Sequence, residues 1–460
     1  MSASLSEAIG LAGNTVSAGG IGGILKARVS DFRVDEESKS VSLDNKGRFT
    51  LARITLTNWE TNRFVKQLAR RLRISSNRIW FAGTKDKRAI TKQLFVIDCN
   101  IRKLKDIEMT DVEIEILGRT HQKLGFGSHR GNRFTIVVRG CAHEDGSPMS
   151  NDEAIAEIER IKQKLEDKLG KGRFPNFIGP QRFGAGRPVT AEVGKYLLSG
   201  DIKGAVSTYI GFPGPDEQEE TAAFRKCWRD SNDAKAALEL APEHLGWERE
   251  MLRHLAEKPD DDVGAFNKLP KSLQLLAIHA LQSLVFNHQL QMRIDDEAPI
   301  STPLEGDIVG PLDESGSLET NRMVKTMAST LPRIERNCQL GRLVPTGALP
   351  GSSTKDLGKY EMQALGLLGL EDTSWEIEEL PRLSSKGTRR ALIGNFREFV
   401  VDTVPIADSS TLGERWQGDP SEGERWHPEG ACIKFRFILP SGTYATTLLR
   451  EFMRSPISQM

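Results

Sequence analysis

Asp86 is the carboxylate whose neighbouring residues in the sequence suggest a role in chemistry. It follows an apolar run of strand type that stops at Gly83, and the cations Lys85, Lys87 and Arg88 enclose it. Nearby positive charge favours the ionised form of a carboxylate, whereas a general acid must hold a proton. The pattern therefore favours a permanently charged Asp86 that acts as a nucleophile or as an electrostatic stabiliser. The alternative is an ion-paired aspartate in a solvated turn.

The letters of this loop argue against two other kinds of site. A phosphate-binding P-loop requires G-x-x-x-x-G-K-[ST], but residues 83–85 are G-T-K and residue 78 is an arginine. A magnesium site needs a second carboxylate nearby, and none occurs between Asp86 and Asp98. We therefore expect neither a nucleotide cofactor nor a metal at this loop.

A second chemical stretch, residues 123–139, is a basic, glycine-containing turn that leads into a strand. Asn132 can exchange hydrogen bonds with a base edge, and Phe134 can stack on a base, although a phenylalanine that opens a strand is most often a core residue. The spacing G-x-G-x-x-x-G is not the dinucleotide-binding fingerprint. Further upstream, Lys26 precedes a half-buried strand at 31–36 and is either a surface lysine or a basic group delivered to a site.

The charge of the chain is balanced overall but unevenly distributed. There are 63 basic and 63 acidic residues, which gives a formal net charge of 0. Residues 60–105 hold thirteen Lys/Arg against three acids, and residues 119–139 hold five against none, while 215–220 and 260–262 are acidic. This distribution predicts a phosphate-binding face on a neutral protein. A solvated helix face is the alternative for residues 63–73.

Composition bounds the class of protein. At 460 residues the chain is long enough for about three domains. The five cysteines are isolated and form no C-x-x-C, which indicates a reducing, cytoplasmic setting. The eight histidines form no H-E-x-x-H and no cluster with metal-ligand spacing, so we expect no metal. No signal peptide and no run of eighteen apolar residues is found, so we expect no membrane span.

The elements that must position these residues follow from periodicity. A helix that Thr61 or Asn62 caps carries its apolar residues on one face and leads into the Asp86 loop. Strands are predicted at 94–97, 112–117 and 432–439, and helices at 152–169, 273–292 and 444–453. Residues 304–351 are predicted to be loops with short strands, and residues 380–398 to be basic and helical.

Taken in order, these motifs resemble the TruD family of tRNA pseudouridine synthases over nearly the whole chain. Each motif is weak alone, and their order makes the resemblance specific. The residues that carry it are Leu25-Lys26-Ala27, Asp31-Phe32-x-Val34, Thr61-Asn62-Arg63-Phe64, Phe81 to Ala89 with Thr91 and Gln93, Gly131-Asn132-Arg133-Phe134, Pro175-Asn176-Phe177, Gln181-Arg182-Phe183-Gly184, Leu349-Pro350-Gly351, and Leu439 to Thr446 with Arg450-Glu451.

The resemblance implies an α+β fold, in which a pseudouridine-synthase catalytic core is a mixed β-sheet flanked by helices and is interrupted by a large inserted TRUD domain. The core would comprise residues 1–175 and 389–460, and the insertion residues 176–388. The implied reaction is isomerisation of uridine to pseudouridine in tRNA, typically at position 13, without metal, nucleotide or redox cofactor. The implied partner is tRNA, and a monomer is expected.

The resemblance also implies roles for single residues. Asp86 matches the catalytic aspartate, Lys26 the active-site lysine, and Asn132 and Phe134 the residues that hold the target base. We add Lys85 as a substrate-binding residue and Arg450 as the partner that orients Asp86, with an ordinary surface Arg-Glu pair as the alternative for Arg450.

Three questions stay open at this point. The sequence does not decide whether Asp86 acts at the sugar C1′ or at C6 of the base. Residues 316–327 and 408–427 have no counterpart that assigns them a role. The rival from another class is a non-catalytic RNA-binding or chaperone protein on the same fold, which needs the basic face and Phe134 but not Asp86.

Overall fold

A computed structural model describes residues 5–184, 186–214 and 217–460; positions 215 and 216 of the acidic segment 215–220 lie outside the described residues. The helices are α1 (Leu5–Ala8), α2 (Thr61–Leu72), α3 (Ile101–Lys105), α4 (Asn151–Leu169), α5 (Thr190–Leu198), α6 (Ile202–Gly211), α7 (Glu219–Ser231), α8 (Ala234–Leu240), α9 (Gly246–Glu257), α10 (Asp262–Phe266), α11 (Lys271–Asp295), α12 (Leu331–Gln339), α13 (Lys359–Leu368) and α14 (Ala445–Met453).

The strands are β1 (Gly22–Ile24), β2 (Phe32–Glu37), β3 (Phe49–Thr57), β4 (Ile79–Phe81), β5 (Ile90–Ile97), β6 (Val112–Thr120), β7 (Gly131–Cys141), β8 (Arg173–Pro175), β9 (Ile308–Pro311), β10 (Val324–Lys325), β11 (Leu343–Leu349), β12 (Thr388–Ala391), β13 (Ile393–Asn395), β14 (Arg397–Val404) and β15 (Cys432–Pro440). The predicted strands at 94–97, 112–117 and 432–439 and the predicted helices at 152–169, 273–292 and 444–453 are confirmed within these elements.

Two compact units divide the chain. The first contains Met1–Asn14, Pro175–Leu312 and Leu318–Ile393, and the second contains Thr15–Phe174, Asp313–Ser317 and Gly394–Met460. We call the second the sheet unit and the first the helical unit. The division into a catalytic core and a TRUD insertion at 175/176 and 388/389 stays a prediction.

The sheet unit is built on one mixed sheet. Its strand order is β14-β15-β7-β2-β5-β3-β6, with β1 added beside β7 and β4 beside β5. The pair β2/β5 is parallel, and the other pairs are antiparallel. A mixed sheet flanked by helices agrees with the predicted fold class.

Register places the side chains of interest in two neighbouring rows. Phe134 on β7 lies opposite Val34 of β2 and Phe437 of β15. Two residues along, Asn132 lies opposite Glu36 and Leu439. Because side chains alternate across a sheet, these residues share one face.

Helix α2 packs its apolar stripe on this sheet, as its sequence predicts. Phe64, Leu68 and Leu72 are buried against strand residues that include Ile54 and Phe95. The predicted cap is wrong, because Glu60 caps the helix: its carboxylate accepts hydrogen bonds from the backbone N–H groups of residues 62 and 63. A glutamate one residue earlier supplies the acceptor that those N–H groups need.

The helical unit contains α1 and α5 to α13, with α11 the longest helix, and a four-stranded sheet of order β10-β9-β11-β12. The prediction of a basic helix at 380–398 is wrong, because β12, β13 and the start of β14 occupy this segment. Residues 388–391 pair with 346–349 of β11, and Gly387 has a φ of +78°. A glycine in the left-handed region and an available strand edge favour extended chain over helix.

No helix among the described residues is both long enough and apolar enough to cross a membrane.

Candidate active site

An ion pair between Asp86 and Lys26 lies at the centre of the candidate site. Lys26 follows β1, and Asp86 lies in the loop between β4 and β5. The Lys26 Nζ atom donates to Oδ1 of Asp86 over 3.0 Å, and the two side chains are 18% and 35% exposed. The carboxylate is therefore partly open to solvent and bears an ammonium group on one oxygen.

Lys26 is held in an unusual backbone conformation. Its φ is +55°, in the left-handed region that disfavours side chains. Arg88 donates from Nε to the carbonyl oxygen of Lys26 over 2.8 Å and from Nη2 to that of Ala27 over 3.1 Å. The backbone N–H of Gly413 donates to the same Ala27 oxygen over 2.8 Å. These three bonds fix the turn that presents Lys26 to Asp86.

Residues 408–427, which the sequence left without a role, contribute to this support. Trp416 and Trp426 are buried with Ile24 and Ala27 in one apolar cluster. The backbone N–H of Gly23 also donates to the carbonyl oxygen of Arg425 over 2.8 Å. The segment thus packs along the chain on both sides of Lys26.

The three cations predicted to surround Asp86 are not its ion-pair partners among the described residues. Arg88 binds the backbone of residues 26 and 27, as above. Lys85 forms a 3.0 Å ion pair with Glu36, and both side chains are buried, at 6% and 1% exposed. Lys87 is exposed. The cation on Asp86 is Lys26, which lies 60 residues away in sequence.

A row of aromatic rings packs against the ion pair of Lys26 and Asp86; we call it the aromatic row. The Lys26 Nζ atom is 4.5 Å from the ring centroid of Phe32, and Phe32 meets Phe134 edge to face at 6.3 Å between centroids. Phe134 stacks on Phe437 at 5.5 Å and 28°, and it is 7% exposed. Phe134 is thus largely a core residue that leaves a small part of its surface available.

Polar side chains lie beside the aromatic row. Asn132 neighbours Glu36 in the sheet, and His129 lies in the turn before β7. Burial, with the positive charge of Lys85, lowers the pKa of His129, so the imidazole is neutral at pH 7. These polar side chains therefore combine the buried ion pair of Lys85 and Glu36 with neutral hydrogen-bonding groups.

Several buried polar atoms of this region have no hydrogen-bond partner within the protein. Such groups are uncommon, because an unsatisfied buried polar atom costs free energy. Five of the eight residues that carry such atoms among the described part of the chain lie in 91–93 and 128–132. Their unpartnered atoms are Thr91 Oγ1, Gln93 Oε1 and Nε2, Ser128 Oγ, His129 Nδ1 and Asn132 Oδ1.

Arg450 is buried on α14 and lies 3.4 Å from Glu451. Burial lowers the pKa of Arg450, and the Glu451 charge opposes this effect. It is therefore not the ordinary surface Arg-Glu pair of the alternative interpretation. Its role as the orienting partner of Asp86 stays a prediction.

Within residues 5–184, 186–214 and 217–460, no group of three or more His, Cys, Asp or Glu side chains is arranged to hold a metal ion.

Sequence reasoning missed Glu36, His129 and the backbone role of Arg88. Alternation along β2 could have placed Glu36 on the face of Val34, since both are even steps from Phe32. Nothing local indicates that Arg88 binds the carbonyl of residue 26, because that contact depends on how β1 and β5 are placed in the sheet.

Comparisons with known proteins agree over almost the whole chain. Residues 8–452 match the family model described as tRNA pseudouridine synthase D (TruD). The chain is 34% identical to the probable tRNA pseudouridine synthase D of Methanosarcina acetivorans over 446 residues, which cover 96% of this chain and 95% of that protein. It is 31% identical to the protein of the same description from Halobacterium salinarum, with 99% and 98% covered.

A solved structure is also similar. The crystal structure of the putative tRNA pseudouridine synthase D from Methanosarcina mazei superposes with a TM-score of 0.78 at 33% identity. The match covers 99% of this chain and 98% of that one.

Proposed function

This chain belongs to the TruD family of tRNA pseudouridine synthases, isomerases that convert uridine to pseudouridine in tRNA, and from that premise we propose that Asp86 carries the reaction and that position 13 is its target. The observation that supports the role of Asp86 is its ion pair with Lys26, which is partly exposed to solvent and packs on the ring of Phe32. A carboxylate that is charged, reachable and fixed in direction suits nucleophilic attack.

The reaction rearranges one nucleotide without a second reactant. The bond between C1′ and N1 breaks, a bond between C1′ and C5 forms, the C5 proton leaves, and N1 gains a proton. Asp86 acts either at C1′, as the base departs, or at C6 of the base; both routes conserve atoms and electrons. No redox step occurs, so the residues present can account for the chemistry without an electron carrier.

Lys26 keeps Asp86 ready for attack. The Lys26 ammonium group donates to only one of the two carboxylate oxygens, over 3.0 Å. The second oxygen is left to face the substrate. The strained turn at residue 26, held by Arg88, fixes where that charge sits.

The target uridine must leave its stack before Asp86 can reach it. Extruding a base costs a few kcal/mol. Contact with the exposed part of Phe134, and hydrogen bonds to the unpartnered Oδ1 of Asn132, offset this cost. Asn132 can accept from the imide N–H of uracil, which cytosine lacks.

For the remaining residues we propose coarser roles. Lys85 contributes by fixing Glu36 beside Asn132 and, if RNA displaces that pair, by binding phosphate. Arg450 acts from α14 to orient Asp86. The TRUD insertion, tRNA as partner, a monomeric state and a cytoplasmic location belong to the same proposal.

Release of the C5 hydrogen tests the assignment. Unmodified tRNA transcripts labelled with tritium at C5 of uridine are incubated with the protein, with Asp86→Asn and with Asp86→Ala. We expect both variants to lose at least about 10³-fold in turnover, as nucleophile removal does in other enzymes, while tRNA affinity is retained. Asp402→Asn serves as the matched control, since Asp402, on the edge strand β14, pairs with Arg436, and three strands separate β14 from β5.

Turnover that survives either Asp86 variant contradicts the nucleophile role. Binding of tRNA without turnover by the parent protein supports the non-catalytic RNA-binding alternative. Mapping of pseudouridine in the product RNA decides whether position 13 is the target.

A further inference from the structure

We propose that Phe126 is a stacking platform for an unpaired nucleobase of the RNA, close to the target uridine; the proposal rests on the function proposed above. Phe126 lies in the turn between β6 and β7. Its side chain is 75% exposed, more than that of any other large apolar residue among the described residues; the next, Leu367, is 60% exposed. Single exposed apolar residues are common, so its surroundings must carry the inference.

The ring of Phe126 is held by the core. Its centroid is 5.5 Å from that of Phe81, which lies 5.6 Å from Phe95, which in turn lies 5.4 Å from Phe64. This row of rings runs from the surface to the apolar face of α2. A phenylalanine has only two side-chain torsions, and the contact with Phe81 restricts them, so less freedom is lost when a base stacks on the ring.

The space around the ring is open. The flanking residues, Gly125 and Gly127, have no neighbouring atom within 4 Å of the position that a Cβ would take. Gly127 has a φ of +75°, which a side chain would disfavour. Flanking glycines therefore leave room for a flat group beside Phe126.

The turn is tied directly to the catalytic loop. The backbone N–H of Gly127 donates to the carbonyl oxygen of Ala82 over 2.7 Å. Ala82 precedes Asp86 by four residues, which at about 3.6 Å per residue span at most about 14 Å. This distance corresponds to a few nucleotide steps. Phe126 can therefore reach a base near the one that Asp86 attacks.

The positive charge of the surrounding segment favours a nucleic acid as the ligand. Residues 119–139 contain five Lys/Arg and no acid. Lys123 lies over the ring of Trp80 at 4.4 Å, and Arg130 is exposed. An exposed ring within a positive segment matches single-stranded nucleic acid, which offers a π-face and a phosphate on each nucleotide.

The test compares three substitutions at Phe126. An unmodified tRNA transcript is used as the probe, and its affinity and the kinetics of C5 hydrogen release are measured. We expect Phe126→Ala and Phe126→Leu each to weaken affinity about tenfold, within the range for loss of one stacked base, with kcat unchanged. Phe126→Trp should retain affinity. Leu367→Ala is the matched control for loss of an exposed apolar side chain.

Abasic nucleotides identify the partner. Transcripts that each lack one base within about four nucleotides of the target uridine, the reach estimated above, should bind the parent protein about tenfold more weakly at one of these positions. The same abasic change should cost Phe126→Ala nothing, because the stack is already absent. Equal cost in both proteins, or Phe126→Leu that binds like the parent, overturns the proposal; the latter outcome indicates an apolar contact instead.

Failure of this inference is distinguishable from failure of the proposed function. If the parent protein releases the C5 hydrogen while Phe126→Ala behaves identically, only the stacking role is refuted. If the parent protein binds RNA through Phe126 but releases no hydrogen, the stacking role stands and the isomerase assignment is refuted.

Discussion

At the scale of single residues, the neighbours of Asp86 divide into groups that act on it and groups that build the surface around it. Lys26 bonds to it directly. Lys85, the residue just before Asp86, forms its ion pair with Glu36 instead and is buried with it. Because a buried lysine needs a carboxylate partner, Lys85 is committed to Glu36 and is not the cation on Asp86.

The buried pair of Lys85 and Glu36 should be strongly coupled in stability. We expect Glu36→Gln or Lys85→Met alone to lower the free energy of unfolding by about 3–5 kcal/mol, since either leaves an unpaired buried group. The double variant should cost less than the sum of the two single ones. Urea unfolding of the four proteins measures the coupling.

The exposed pair of Arg53 and Glu115 provides the control for this cycle. Both side chains are open to solvent, at 42% and 55% exposed, and their removal should change stability little. Additive costs for residues 36 and 85 would show that the pair is not a unit.

At the scale of elements, contacts from other segments of the chain determine the conformation of the turn after β1. Lys26 has a left-handed φ, a conformation that costs of order 1–3 kcal/mol and persists only where the surrounding structure enforces it. Arg88 from the Asp86 loop and Gly413 from residues 408–427 donate to the carbonyl oxygens of residues 26 and 27. The position of the Lys26 ammonium group therefore depends on three segments that are far apart in sequence.

Loosening this turn should affect turnover rather than binding. We expect Arg88→Ala to lower kcat about 10- to 100-fold with little change in KM, because a displacement of about 1 Å can cost 10²-fold. Gly413→Ala should act in the same direction, since its Cβ would meet the Arg88 guanidinium. Steady-state kinetics of C5 hydrogen release measures both.

Arg88→Lys separates position from charge. A lysine keeps the positive charge but cannot donate to two carbonyl oxygens in a fixed fork, so it should remain impaired. Lys46→Ala, which removes an exposed cation outside the basic segments, should leave kcat unchanged. Full activity of Arg88→Lys would refute positioning by the two carbonyl bonds.

The same scale explains two sequence predictions that were wrong. Residues 388–391 contain two arginines and a single β-branched residue, yet they pair with β11; the neighbouring edge outweighs local preference. The cap of α2 was predicted one residue late because Thr61 and Asn62 are common caps. The side chain of Thr61 instead accepts a bond from the backbone N–H of Lys85.

At the scale of the whole molecule, a net charge of zero conceals an uneven distribution of charged side chains. Part of the basic surface inferred from counting is used internally: Arg119 bonds to four groups of its own unit, and Arg139 is buried against Asp31. The count of cations therefore overstates the number available to RNA. Exposed ones such as Lys87 and Arg130 remain.

Affinity for tRNA should still fall steeply with salt. We expect the logarithm of the association constant to decrease with the logarithm of salt concentration at a slope of about −3, near four phosphate contacts. Affinity would then fall about 60-fold between 50 and 200 mM salt. Filter binding over that range measures the slope.

Two variants test which residues contribute to the salt dependence of binding. Lys87→Ala should reduce its magnitude by about one, whereas Phe126→Ala should weaken binding without changing it, because stacking releases no counterions. A flat response would remove the phosphate-binding role of this surface.

By itself, the amino-acid sequence determined the elements of the sheet unit and the chemistry they present. The apolar run that ends at Gly83, the amphipathic α2 and the alternating β15 are local patterns, and local patterns follow from backbone and side-chain period. The same patterns located Asp86, Asn132 and Phe134 and supported the family resemblance.

Only the tertiary structure decided which cation meets Asp86. Lys26 and Asp86 are 60 residues apart, and Lys85 and Glu36 are 49 apart. Such contacts depend on strand order and register, which place β1 and β2 beside β7 and β5. A charge close in sequence need not be close in space, because side chains on successive residues of an extended loop point in different directions.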